Sequence, residues 1–158
     1  MSYHKVQDIL ELVQTFHDNM QEVLEQIQQD SHSLAVEWLS DQIRRYELHW
    51  QAALADYVMY GSQGVLDAWL QFVPDALVRK EIDSITVHPD MTLEDLTEIN
   101  IRFRKALIDL YQTLVVASAT PRVQKLFQQL LEQERAIAAH QSLKTRESAL
   151  VESEMYQN

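Results

Sequence analysis

The chain contains no cysteine. Disulfides, thiolate metal sites and cysteine nucleophiles are therefore excluded, while the redox compartment is left open. Glycine and proline are nearly missing, with two and three copies among 158 residues. A sandwich or barrel would lack its turn residues, and no Gly-rich phosphate loop is present. Basic residues are scarce too: 13 Lys and Arg against 24 Asp and Glu give a formal charge of −11. Such a balance repels nucleic-acid phosphates and anionic lipid headgroups, so neither nucleic acid nor membrane is an expected partner. No run approaches about 18 consecutive apolar residues, and the start, MSYHKVQDILELV, lacks the pattern of an export signal. The expected location is the cytoplasm.

What remains is a chain of one domain's length, 46% apolar and 23% charged, patterned for helices. Apolar residues recur in steps of three and four at Val6, Ile9, Val13, Phe16, Met20, Val23 and Ile27, which keeps one stripe facing a partner. After DSHS the rhythm resumes at Val36, Leu39, Ile43, Tyr46, Trp50, Ala53 and Tyr57 and stops at GSQG. Thr92 and Asp95 form a capping-box pattern ahead of Leu96, Ile99, Phe103, Leu107, Leu110 and Leu114. Thr120 and Pro121 then open a last helix through Val123, Leu126, Leu130 and Ile137. The expectation is an all-α bundle over residues 1–147, with helices near 3–29, 33–58, 92–117 and 120–145, followed by an acidic, frayed tail over 148–158. Short links within each pair make two antiparallel hairpins. The crossover, 61–90, is long enough to travel the bundle's length; its apolar positions Val65, Leu66, Trp69, Leu70 and Phe72 suggest a short helix packed across it.

The two hairpins repeat. Shifting the chain by 87 residues aligns 12–50 with 99–137 without a gap and pairs Phe16 with Phe103, Val36 with Val123, Leu39 with Leu126 and Glu47 with Glu134. Equal spacing across both turns favours a pseudo-twofold over the mere rhythm shared by amphipathic hairpins.

In layout the whole chain resembles the rubrerythrin-like branch of the ferritin-like superfamily, a four-helix bundle of two hairpins and one crossover. The resemblance is carried by ATPRVQKLFQQLLEQERAIAAH and by FHDNMQEVLEQIQQDSHSLAVEWLSDQIRRYELH. The second segment also looks like small ferritin-like proteins of unassigned function. In metal-binding members such a resemblance implies a di-iron centre handling oxygen or peroxide, with Glu-x-x-His on two of the helices. This chain contains no Glu-x-x-His. With Glu47 and Glu134 at the glutamate positions, Trp50 and Ile137 stand where the histidines belong. In RRYELHW, Glu47 and His49 lie about 200° apart around a helix and cannot chelate together.

Hairpin geometry points to other partners. Residues equidistant from a turn face each other, which sets His17 level with Glu47 and, by the repeat, Arg104 level with Glu134. Two readings stand: either the glutamates are buried and balanced by His17 and Arg104, or they flank the stripe and reach solvent. Tyr46 and Gln133 fall on the expected stripe at matched positions, where they could share a hydrogen bond, with His140 lower on the same face. The expected protein is a metal-free, non-catalytic ferritin-like bundle that binds a protein partner or forms a homodimer or small homo-oligomer, with no cofactor. The alternatives are a di-metal oxidoreductase using iron or manganese through an unorthodox ligand set, and a bundle that binds an apolar ligand near Trp50.

Overall fold

The computed structural model describes residues 3–71 and 76–156. Four long helices form the bundle: α1 (Val6–Asp30), α2 (Leu34–Tyr60), α5 (Leu93–Ala117) and α6 (Pro121–Tyr156). The crossover holds two short helices, α3 (Gln63–Leu66) and α4 (Ala76–Asp83). A two-residue strand, β2 (Trp69–Leu70), pairs antiparallel with β1 (His4–Lys5) ahead of α1. The fold is an all-α, ferritin-like bundle of two antiparallel hairpins, α1/α2 and α5/α6, joined by a long crossover.

Local chemistry explains most boundaries. Ser33 accepts a hydrogen bond from the Val36 amide at 3.3 Å and starts α2. Thr92 and Asp95 cap α5 reciprocally, Asp95 N to Thr92 Oγ1 at 3.1 Å and Thr92 N to Asp95 Oδ2 at 3.0 Å. Gly61 closes α2 by donating its amide to the Tyr57 carbonyl at 2.7 Å. A Cβ at Gly61 would sit 2.4 Å from that oxygen, so close approach is what asks for glycine there. The last helix passes the expected stop near 145 and runs to Tyr156. Its final stretch, RESALVESEMY, contains no glycine or proline to end it and is rich in helix-forming Ala, Leu, Glu and Met.

The core is one apolar cluster along the bundle axis. On α1 it takes Val6, Ile9, Val13, Phe16 and Met20, and on α2 Val36, Leu39, Ile43, Trp50 and Leu54. Ala53, expected on the second stripe, is exposed, because the stripe steps from Trp50 to Leu54. The crossover differs from the single packed helix expected. Val65, Leu66, Leu70 and Val78 are buried, but Trp69 is 58% exposed. Alternation along β2 explains this: Leu70 turns inward and Trp69 outward, where the Lys5 ammonium lies 5.5 Å from its ring centre. Phe72 lies outside the described residues. Among those residues no helix is long and apolar enough to cross a membrane.

Candidate functional site

Each long helix contributes one charged or ionisable side chain to the same level of the bundle: His17 from α1, Glu47 from α2, Arg104 from α5 and Glu134 from α6. They follow from the helical period. Glu47 continues the buried steps Leu39, Ile43, Glu47, Trp50, and Glu134 continues Phe127, Leu131, Glu134. None of the four is more than 2% exposed.

The contacts interlock. His17 Nδ1 donates to Glu47 Oε2, and its Nε2 lies 3.6 Å from Glu134 Oε1. Arg104 spans both carboxylates, with Nη1 2.9 Å from Glu134 Oε2 and Nη2 on Glu47 Oε1. Thus His17 and Arg104 each touch both glutamates. The arrangement has the symmetry of the repeat, since the same shift that carries Glu47 onto Glu134 carries His17 onto Arg104. Below the cluster, Arg104 Nε donates to Gln141 Oε1 at 3.1 Å, and the Asn100 amide donates to the same oxygen at 2.8 Å. Phe103 stands edge-on to the His17 ring, centres 5.6 Å apart.

Burial governs the charges. It pushes the His17 imidazolium down from the ordinary value of 6.5 to about 4; the Glu134 charge opposes this and the Arg104 charge adds to it. His17 is therefore neutral at pH 7, with its proton on Nδ1 and the Nε2 lone pair toward Glu134. Arg104 then carries the positive charge of the cluster alone at pH 7. Tyr111, fully buried one turn-pair along α5, has its phenol pushed well above 10 by burial first and by Glu134 second, so it stays protonated.

Tyr46 and Gln133 do not join the cluster. Gln133 is exposed and Tyr46 half-buried, because the adjacent Glu47 and Glu134 occupy the inward positions and a one-residue step turns a side chain by about 100°. No hydrogen bond links the two; Tyr46 instead packs against the His140 ring, centres 4.5 Å apart. His49 points to solvent. Asn100, Tyr111 and Gln141 extend the buried polar set beyond the residues singled out from sequence. Their signal was spacing: Asn100 and Tyr111 sit four before and seven after Arg104, and Gln141 seven after Glu134, all on the inward face.

The donor set does not fit a di-iron centre. Two carboxylates and one histidine converge where such a centre draws on four carboxylates and two histidines. A guanidinium, which cannot ligate a metal, holds an oxygen of each carboxylate. Among the described residues no group of three or more His, Cys, Asp or Glu is set to hold a metal ion.

No family model and no curated protein matches the chain. Among solved structures it is similar to a candidate ferritin-like diiron-carboxylate protein of Thermotoga maritima, with a TM-score of 0.61 and 18% identity over 94% of this chain and 99% of that one. At that identity the likeness speaks for the fold.

Proposed function

We propose that this chain is a ferritin-like bundle whose centre is closed by ion pairs in place of metal, and that it works by binding and small-oligomer formation, not by oxygen or peroxide chemistry. The observation that carries the reading is Arg104, which reaches both central glutamates and supplies positive charge where a di-iron protein would place cations. Trp50, buried at the position of a histidine ligand, supports it. A binding role draws support from α2, where Leu48, Ala52, Ala55 and Met59 face outward in steps of four, three and four. Leu48 and Met59 are 54% and 72% exposed along that line, an apolar strip suited to a protein partner or a second copy.

Metal analysis is the test. Protein purified without chelator, then incubated with ferrous or manganous ion and desalted, is expected to retain far less than one metal per chain, and sedimentation is expected to find a small oligomer. Retention of about two iron or manganese atoms per chain would overturn the reading in favour of a di-metal oxidoreductase. An apolar site at Trp50 finds little support: the depression there measures 130 Å³ and is rimmed by exposed Ala53 and Gln129.

A further inference from the structure

We infer that a separate small-molecule site lies between α5 and α6, a 370 Å³ cavity suited to a ligand with a primary-amide head and a short apolar body. Its walls are mostly apolar, with Ile101, Ile108 and Ala138 beside the exposed Lys105, and its floor is polar, formed by Asn100, Arg104 and Gln141. This combination, apolar sides with a few converging polar groups, is what holds and orients small ligands.

The floor's unused valences define the head group. Arg104 Nε can only donate, so the atom of Gln141 that it meets at 3.1 Å is the amide oxygen. Asn100 reaches that same oxygen at 2.8 Å and must do so with its NH2. Asn100 Oδ1 and Gln141 Nε2 are then left without partners, although the two residues are only 6% and 2% exposed. One acceptor and one donor call for a group that both donates and accepts, as a primary amide does through its NH2 and its carbonyl oxygen. A carboxylate offers no donor to Asn100 and meets an Arg104 already held by Glu47 and Glu134, which leaves it the exposed, solvated Lys105 of the lining. An ammonium offers no acceptor to Gln141.

The repeat shows that the fold does not require this floor. Carried four residues past the aligned stretch, the same shift sets Val13 and Leu54 of the first hairpin at the positions of Asn100 and Gln141, both buried at 1% or less. There the groove is bridged by a hydrogen bond from Gln51 to Asp18. In the second hairpin the equivalents of Gln51 and Asp18 are Ala138 and Lys105, which leave the groove open. The same backbone thus closes one groove with an apolar pair and a polar strap, and opens the other above two amides that each keep one unpartnered atom.

Hexanamide is the probe, titrated into the full chain at pH 8 by calorimetry and by amide chemical shifts, beside hexanoate and hexylamine. Saturable hexanamide binding is expected, with hexanoate and hexylamine weaker by about tenfold or more. The double variant K105D/A138Q, which copies the strap of the first hairpin, is expected to abolish binding while keeping the helical circular dichroism of the parent. No saturable hexanamide binding up to its solubility would overturn the site, as would equal affinity for hexanoate on the unmodified chain. Metal content is measured on the same samples, so failure of this site and failure of the metal-free reading appear separately.

Discussion

Arg104 and Glu47 touch each other, yet their removal should not cost the same. Glu47→Gln leaves Arg104 paired with Glu134. What is lost is mainly hydrogen-bond strength, so about 1–2 kcal/mol is expected. Arg104→Met instead leaves two buried carboxylates with no fixed cation, and the expected loss is about 3–5 kcal/mol. Urea unfolding of both variants at pH 7 checks the order; a larger loss for Glu47→Gln would mean that Arg104 is not the chief counter-charge. The same residue controls His17. Because the Arg104 charge helps hold the imidazolium down, its removal should raise the His17 titration midpoint, as read by NMR. In the parent protein the folded value of about 4 lies below the unfolded value near 6.5. Between them the unfolded chain binds a proton that the folded chain refuses, so stability is complete above about pH 6.5 and falls as pH drops toward 4. The contribution is on the order of 3 kcal/mol. Comparing unfolding at pH 7 and pH 4.5 checks it, with His17→Gln expected to flatten this part of the profile.

Among the elements, α5 depends most visibly on one side chain at its start. Thr92→Ala removes the acceptor for the Asp95 amide and half of the reciprocal cap. A loss of about 1 kcal/mol is expected, with faster hydrogen exchange confined to the first turn of α5. Uniform acceleration along the helix would contradict that assignment. The cap was legible from sequence because its chemistry is local: a hydroxyl and a carboxylate three residues apart before an apolar run. The four long helices were legible for a similar reason, since the period of the apolar stripe is a property of the helix itself. The crossover was not. Pairing of His4 and Lys5 with Leu70 and Trp69 joins segments some sixty residues apart, and strands of two residues are too short to display an alternating pattern. The acidic residues of 148–158 suggest a tail, but α6 runs to Tyr156 because nothing in that stretch breaks a helix.

Across the whole molecule, the repeat made the centre readable. Distance from each turn set His17 level with Glu47 and Arg104 level with Glu134, and the shift of 87 residues placed both pairs at one height. That His17 and Arg104 each also reach across to the other hairpin's glutamate could not be read this way, because turn arithmetic says nothing about how two hairpins dock. Tyr46 and Gln133 turn off the stripe that the sequence assigns them, because an apolar stripe averages over several turns and fixes orientation only to within about one residue. Asn100 and Gln141 are hidden in the sequence for a different reason. Amides are common on helix surfaces, and only their coincidence with the inward period of Arg104 and Glu134 distinguishes them.

With one member on each of four helices, the central cluster also limits how the hairpins can slide. Apolar stripes tolerate axial displacement, since after two turns, about 11 Å, leucine again meets leucine. Charges have no such second alignment here. Any shift along the axis carries His17 and Glu47 away from Arg104 and Glu134, leaving buried charge facing hydrocarbon. The cluster therefore works as an index mark: the hydrophobic surfaces bring the halves together, and the ion pairs select the single axial offset at which they stop.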